Sequence, residues 1–484
     1  MKNILRISAF LLALFVVSCE KSLDEVNIDP NTSPTANDAQ VLTAAIGYLG
    51  YIVDVDLNAR SFLWAQYYTW GTGVSIGNAE RFVAQPDDYD GYWRRAYANC
   101  LEDLKQLTKS KDPGYRGAAN VLQAYVFQGL VDHFGDIPYS EALRGAIEDG
   151  SILTPSYDAA SDVYAKLVAQ VDNALEDLRN ASTSTTMGPD DLIYGGDMKK
   201  WIRFANSLKL RLLMRTSELG GNDATIKDLI ANGIFIESAG DIARIPFDGK
   251  TGNLNPMYAR FTWGVGDFYF ASNATLNVLN DLSDPRIEAF YSKATTGTFA
   301  DQFHGIDQGT IINEPFTAVA TDYSKSSPIA VAPDNDVILM SNWETWFLRA
   351  EAAARYGTAD DDVMAFGNAI MSNFDYLGVS GADTYIASLN YDTAGSLDAK
   401  LNLIGVQKWI SMNATQEDEG WIEARRFDRP GNRLFTQGIW QTPPLSVLGD
   451  GVFPASWLYP ASEISLNPKA PNQRVITDKI FWDN

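Results

Sequence analysis

The 484-residue sequence carries 61 Asp and Glu against 38 Lys and Arg, a formal net charge of −23, with 46% apolar and 12% aromatic residues. Such an acidic surface repels phosphate backbones, which argues against nucleic-acid binding. The apolar content suffices for a sizeable core. Two histidines, far apart in sequence, exclude a His-rich metal site.

The N-terminus has the pattern of an exported lipoprotein. Basic residues precede an apolar run of eleven residues, Ile7 to Val17. A membrane helix needs about 20 residues to cross a hydrocarbon core of about 30 Å, whereas a run of this length is typical of a signal peptide. The run leads into Val16-Val17-Ser18-Cys19, which resembles the lipobox of bacterial lipoproteins. We therefore predict a signal peptide over residues 1–18 and lipidation of Cys19.

A short polar stretch follows the predicted lipid anchor. Residues 20–37 contain two prolines and several acids and show almost no apolar periodicity, which predicts a flexible tether over 19–37 and a single domain over 38–484. If Cys19 is acylated, Cys100 has no disulfide partner. No other segment approaches the length of a membrane helix, so we expect the mature chain to lie beside a membrane and not to cross it.

Helical periodicity dominates the domain, which predicts a mainly α fold. Apolar residues recur at helical spacing in three segments, and a further segment, 115–136, ends with a glycine before a proline. The three stripes are Tyr164, Leu167, Val168, Val171, Leu175 and Leu178; Trp201, Phe204, Ala205, Leu208 and Leu212; and Trp343, Trp346, Phe347, Ala350 and Ala354. Paired amphipathic helices of this kind indicate degenerate repeats of the tetratricopeptide type.

Long regions rich in Gly, Asn, Asp and Thr separate these helices. They cover residues 181–198, 238–273, 292–342 and 376–400 and lack strong periodicity. Long loops in a compact protein are usually functional or disordered. The aromatic content of residues 253–270 favours a functional role for that loop.

One motif suggests catalysis. Residues 73–77, Gly-Val-Ser-Ile-Gly, fit the G-x-S-x-G pattern of a serine hydrolase, whose serine stands on a turn between a strand and a helix. Residues 57–69 instead show a helical stripe, with Gly71 and Gly73 as its C-cap and turn, and the surroundings of His304 do not resemble those of a general base. We therefore expect Ser75 to lie in a loop. Apart from this pattern, the sequence contains no recognised motif for a cofactor, a catalytic centre or a metal site, and we expect none of the three.

The remaining candidates are aromatic residues beside glycines. Aromatic residues within periodic helices are usually core, but those in unpatterned, Gly-bracketed segments are harder to bury. Flat ring faces beside a few hydrogen-bonding groups suit a sugar. The candidate ligand-binding residues are Tyr68, Trp70, Trp263, Asp267, Phe268 and Tyr269.

Several segments, in order along the mature chain, resemble the SusD/RagB family of nutrient-binding outer-membrane lipoproteins, and most closely its SusD-like branch. They include VLQAYVFQGLVDHFGDIPYSEAL (121–143), KWIRFANSLKLRLLMR (200–215), NPMYARFTWGVGDFYF (255–270), LMSNWETWFLRAEAAARYG (339–357), GWIEARRFDRPG (420–431) and FPASWLYPASEISLN (453–467).

The resemblance implies four tetratricopeptide-like helix pairs that scaffold a loop-rich ligand-binding face, and it implies no catalytic residue. It also implies a partner, a SusC-like TonB-dependent transporter that the lipoprotein closes as a lid. The family's ligands are mostly oligosaccharides and in some members peptides. Of the candidate residues, only Trp263, Asp267, Phe268 and Tyr269 lie within a matching segment. The predictions for Tyr68 and Trp70 are based on composition alone.

The sequence therefore predicts a lipid-anchored, surface-exposed outer-membrane protein that captures an oligosaccharide and delivers it to its transporter without altering it. Three alternatives remain at this stage. The cargo is peptide; the protein is a surface hydrolase that uses Ser75 or a carboxylate pair; or it is a structural plug that stabilises the transporter barrel.

Overall fold

The computed structural model describes residues 36–71, 79–262, 268–310 and 321–483. Helices dominate this part of the chain and confirm the mainly α prediction. They are α1 (Asp38–Tyr51), α2 (Ala59–Trp64), α3 (Asp90–Arg94), α4 (Glu102–Leu107), α5 (Pro113–Phe134), α6 (Ala160–Ala181), α7 (Met198–Arg215), α8 (Asp223–Asn232), α9 (Pro256–Arg260), α10 (Asn273–Asp281), α11 (Ile287–Phe290), α12 (Asn342–Tyr356), α13 (Asp362–Leu377), α14 (Ala382–Ser388), α15 (Leu397–Met412), α16 (Glu417–Phe427) and α17 (Ala461–Leu466).

The longer helices pack as four pairs around a shared core. The stretch from α1 to α2 packs against the stretch from α3 to α4, α5 against α6, α12 against α13, and α15 against α16, while α7 lies against α6 and α12. Trp201, Trp343 and Trp409 are fully buried in this core. This arrangement agrees with the tetratricopeptide-like pairs expected from the sequence.

The helix boundaries follow from local capping chemistry. Asp112 caps α5 by accepting a hydrogen bond from the Gly114 amide, and Gly135 ends the same helix with φ of +77°. Asp361 caps α13 by accepting a hydrogen bond from the Met364 amide. The region 376–400, predicted as a loop, contains α14, a short helix without the longer apolar stripe on which that prediction relied.

The first helical region is longer than its sequence suggested. A π-helical segment, Ile52–Asn58, joins α1 to α2, so helical structure runs from Asp38 to Trp64. By length and composition alone these 27 residues are able to span a membrane. More than half of the stretch is buried inside the fold, where it packs against α4 and α16, as a core helix does. The expectation that no other segment reaches this length was therefore wrong, although burial in the fold accounts for the apolar composition.

Short strands connect the helical layers. In the described ranges they form four two-stranded antiparallel sheets. The pairs are β1 (Tyr68–Trp70) with β3 (Tyr269–Ala271), β2 (Ala243–Ile245) with β6 (Val337–Met340), β4 (Tyr291–Ser292) with β5 (Lys325–Ser326), and β7 (Asp428–Arg429) with β8 (Asn432–Arg433).

The β1–β3 pair corrects the helix expected over residues 57–69. Helix α2 ends at Trp64, and Gln66 adopts a left-handed φ of +63°. This conformation turns the chain out of the helix and into β1. The Gly71 C-cap predicted from the helical stripe is therefore wrong, because the residues before Gly71 form a strand.

Candidate functional site

The β1–β3 ladder joins two of the aromatic segments that the sequence singled out. Its register sets Tyr68 opposite Ala271, Thr69 opposite Phe270, and Trp70 opposite Tyr269. Directly opposed residues of an antiparallel pair lie within side-chain contact. The ladder therefore brings together four of the predicted binding residues, Tyr68, Trp70, Phe268 and Tyr269.

These residues belong to one group of rings, here called the ring cluster: Phe62, Tyr68, Trp70, Phe261, Phe268 and Tyr269. Trp70 stacks on Phe268, with ring centroids 4.9 Å apart and planes 10° apart, and meets Tyr269 edge to face at 5.2 Å. Phe62 meets Tyr68 at 5.2 Å and Tyr269 at 4.9 Å, both edge to face. Such offset and perpendicular geometries are the favourable ones for aromatic pairs.

Burial divides the ring cluster into a floor and an accessible side. Tyr68, Trp70 and Tyr269 are 3%, 4% and 6% exposed, whereas Phe261 and Phe268 are half-buried. Phe261 stacks on Tyr269 at 5.3 Å, just as Phe268 stacks on Trp70. Phe261 and Phe268 are therefore the more accessible rings of the cluster, and the buried rings support them from below.

The other predicted site residues lie outside the described ranges. Trp263 and Asp267 belong to residues 263–267, between Thr262 and Phe268, and Ser75 belongs to 72–78, directly after Gly71. Cys19 precedes the first described residue. Residues 72–78 and 263–267 are therefore close in sequence to Trp70 and Phe268, which belong to the ring cluster.

Charged groups next to the ring cluster escaped the sequence analysis. Burial raises the pKa of the Tyr269 hydroxyl, and the Arg260 guanidinium beside it partly offsets the rise. Arg260 and Arg60 also act on the pKa of Asp56, which burial raises and the hydrogen-bonded Arg95 lowers. The sequence signal that could have identified Arg260 is its position, three residues before the predicted binding residue Trp263.

A small acidic cavity lies beneath the ring cluster. Its volume is about 30 Å³, and its lining includes Asp54, Tyr68, Asn255, Phe261 and Glu417. Burial raises the pKa of Asp54 to about 6 and that of Glu417 to about 8. The cavity has room for one water molecule and not for a sugar. The cavity therefore places two buried carboxyl groups beneath the rings but is too small to bind an oligosaccharide.

The histidine environments do not form a hydrolase centre. The His304 ring is stacked between Phe299 at 3.8 Å and Tyr323 at 4.7 Å, and burial lowers its pKa. Strand β1, which leads toward Ser75, pairs with an antiparallel strand, whereas the nucleophile elbow stands at the top of a largely parallel sheet. The surroundings of His304 and the pairing of β1 therefore differ from those of a serine hydrolase.

His133 takes part in a second arrangement with triad-like residue types. Its Nε2 lies 2.8 Å from Asp418 Oδ1, and the Ser61 hydroxyl donates to the same carboxylate oxygen at 2.5 Å. In a catalytic triad the histidine bridges the serine and the acid. Here the acid bridges the serine and the histidine, and all three are buried. This arrangement stabilises the core. The described residues contain no group of three or more His, Cys, Asp or Glu suited to a metal ion.

A family model described as "Starch-binding associating with outer membrane" matches residues 30–444. No curated protein matches the sequence at a significant level.

Among solved structures, the chain is similar to a chitin-binding SusD homologue from Flavobacterium johnsoniae, with 23% identity, coverage of 92% of this chain and 98% of that one, and a TM-score of 0.75. It is also similar to a SusD homologue from Bacteroides thetaiotaomicron, with 18% identity, coverage of 93% and 99%, and a TM-score of 0.75. A third SusD homologue, from Bacteroides ovatus, has 22% identity, coverage of 92% and 98%, and the same TM-score. These likenesses establish the fold over nearly the whole length of each chain.

Proposed function

Because the chain belongs to the SusD-like family of starch-binding proteins that associate with the outer membrane, we propose that it binds an oligosaccharide at the cell surface and passes it unaltered to a TonB-dependent transporter. The observation that carries this proposal is the ring cluster. Rings from segments some 200 residues apart meet across the β1–β3 ladder, where Trp70 stacks on Phe268 and Phe261 on Tyr269.

The ring cluster has the chemistry that a sugar requires. The C–H faces of a pyranose pack on flat apolar rings, while its hydroxyls need nearby polar partners. Phe261 and Phe268 supply partly exposed rings, and Arg260 and Tyr269 supply donors beside them. Trp263 and Asp267 lie in the segment between these two phenylalanines. We propose that they complete the site with a further ring and a hydroxyl acceptor.

A site of this size supports modest affinity. A few stacked rings and hydrogen bonds correspond to about −4 to −8 kcal/mol, or a Kd of about millimolar to micromolar. Reversible binding in this range suits a protein that must release its cargo to a transporter. The likeness to a chitin-binding homologue makes N-acetylglucosamine oligomers one cargo to try, and the family description makes maltose oligomers another.

The proposed location follows from the N-terminus. Lipidation at Cys19, followed by the tether to residue 37, would hold the domain beside the outer membrane. A lipobox cysteine typically carries two or three acyl chains, and each buried methylene contributes about 0.8 kcal/mol, so anchoring would be stable. We propose that the domain then closes over the mouth of its transporter and opens to load.

Isothermal titration of the purified mature chain with chito- and malto-oligosaccharides tests the proposal, with product analysis to detect any cleavage. We expect binding without turnover, and a roughly 3- to 10-fold weaker Kd for Phe268→Leu, which removes one ring contact. Tyr48→Leu is the matched control, because Tyr48 is a 40% exposed ring on α1. Binding of oligopeptides instead of glycans would assign peptide cargo. Cleavage that Ser75→Ala abolishes would assign a hydrolase.

A further inference from the structure

A second set of rings lies on the other face of the β1–β3 ladder. Successive strand residues point to opposite faces, so Phe270 points away from the ring cluster that contains Tyr269. Phe270 packs with Ile306 in a small hydrophobic cluster of its own. Tyr323 meets Phe270 edge to face at 5.9 Å. This second set is therefore supported independently of the ring cluster.

Three parallel rings extend from this support toward solvent. Tyr323 stacks on His304 at 4.7 Å, and His304 stacks on Phe299 at 3.8 Å, both with planes 19° apart. Phe299 is 42% exposed, so one of its faces rests on the imidazole while much of the ring remains open to solvent. The other exposed rings in the described ranges, Tyr48 and Tyr51, lie on helix α1.

The backbone holds this stack in place from both sides. The Ser324 amide donates to the His304 carbonyl at 2.7 Å, and the His304 amide donates to the Ser324 hydroxyl at 3.0 Å. The turn that carries Phe299 is closed by hydrogen bonds between Ala294 and the pair Asp301 and Gln302 at 2.8 and 2.9 Å. A surface that is already ordered loses little conformational entropy on binding.

Oxygen atoms lie beside the stack. The Thr296 and Thr321 hydroxyls are 2.7 Å apart, and Thr296 also donates to the Asp322 carboxylate. Asp322 directly precedes Tyr323 and is close enough to His304 to act on its pKa. Thr296, Thr321 and Asp322 thus form one hydrogen-bonded group whose carboxylate lies near His304, and hydroxyls and carboxylates are the groups that bind sugar hydroxyls.

We propose that the Phe299–His304–Tyr323 stack is a second carbohydrate contact, in which the open face of Phe299 takes one pyranose ring and Thr296 and Asp322 bind its hydroxyls. This inference rests on the proposed function, since it assigns a second contact for the same class of ligand. His304 serves as a positioning residue that keeps Phe299 in place and does not itself touch the sugar.

Titration of the mature chain with chito- and malto-oligosaccharides tests the inference. We expect Phe299→Leu, which keeps an apolar side chain but removes the ring, to weaken the Kd about 3- to 10-fold, and Phe299→Trp to retain binding. Tyr48→Leu, the matched exposed ring on α1, should leave the Kd unchanged. Combining Phe299→Leu with Phe268→Leu should multiply the two losses, because the contacts lie on separate faces of the ladder.

The outcomes separate this inference from the proposed function. If the wild type binds glycan and Phe299→Leu binds equally well, the second contact is overturned and the ring cluster stands. If Phe299→Leu loses affinity only for the transporter, the stack is a protein interface and the inference again fails. If the wild type binds no glycan, both proposals fall together. A melting temperature of Phe299→Leu close to that of the wild type shows that any loss of affinity is local.

Discussion

The Arg215 guanidinium donates two hydrogen bonds to the carboxylate of Glu419, at 2.7 and 2.8 Å, and so joins α7 to α16 inside the core. The same guanidinium pairs with Glu423 and lies 3.4 Å from Asp132. Arg215 is 1% exposed. The helical scaffold that carries the ring cluster is therefore held by a buried ionic network as well as by apolar packing.

Arg215→Met should lower the free energy of unfolding by about 3–5 kcal/mol, because it leaves several buried carboxylates without their shared cation. Urea denaturation measures the loss. Lys250→Met is the control, since Lys250 forms an exposed pair with Asp248 and its removal should leave the free energy of unfolding nearly unchanged. Equal effects of the two substitutions would contradict a structural role for the buried network.

The buried Glu417 should make stability depend on pH. Its pKa is raised to about 8, chiefly by burial and also by repulsion from the nearby Asp54 and Asp418 carboxyl groups. The native state therefore keeps this proton between the unfolded pKa near 4.5 and about pH 8, while the unfolded state releases it. The contribution of Glu417 to stability is fully present below pH 4.5 and is lost as pH rises through about 8.

Glu417→Gln, which keeps a neutral side chain at every pH, should accordingly be more stable than the wild type at pH 8–9, by an amount on the order of 5 kcal/mol, and within about 1 kcal/mol of it near pH 5. Chemical denaturation across this range tests the slope. Glu176→Gln, on the exposed face of α6, corrects for the loss of one negative charge. A constant difference between wild type and Glu417→Gln at every pH would show that Glu417 is ionised in the native state.

The sequence predicted the scaffold better than the site, for a physical reason. Helices such as α5 and α7 are specified by local periodicity and caps, and their boundaries were close to the predictions. The ring cluster depends on β1 pairing with β3, a contact between distant segments that no local pattern encodes. Tyr68 was accordingly assigned to the end of a helix, although it was correctly singled out as one of a group of rings. The acidic cavity around Glu417 arises only from tertiary packing and had no sequence signal.

Two glycines allow a matched test of the packing between Tyr67, which directly precedes β1, and α16. A Cβ on Gly420 would lie 2.2 Å from the Tyr67 hydroxyl, which itself donates to the Trp409 carbonyl. Gly420→Ala should therefore destabilise the protein by about 1–3 kcal/mol through overpacking. On α1, Gly47 has nothing within 4 Å of such a Cβ, so Gly47→Ala should stabilise it by about 0.5–1 kcal/mol. Thermal unfolding compares the two, and the same sign for both would contradict the steric argument.

Removal of the Tyr68 hydroxyl tests its contribution to stability separately from its contribution to ligand binding. Its hydroxyl is buried at the acidic cavity and has no well-formed hydrogen bond to any described residue, although the Ser326 hydroxyl is close enough to lower its pKa. Removing an unsatisfied buried hydroxyl relieves a desolvation cost, so Tyr68→Phe should leave stability unchanged or raise it by about 1 kcal/mol.

Tyr291→Phe is the control for this prediction. The Tyr291 hydroxyl donates to the Tyr67 carbonyl at 2.8 Å and accepts from the Asn413 amide at 3.0 Å, so its loss should cost about 1–3 kcal/mol. Because the Tyr68 ring stays in place against Phe62, Tyr68→Phe should also keep the wild-type Kd for oligosaccharide. A marked loss of affinity at unchanged stability would mean that the ligand reaches past Phe261 and Phe268 to the floor of the ring cluster. The ligand would then contact rings that are buried in this structure.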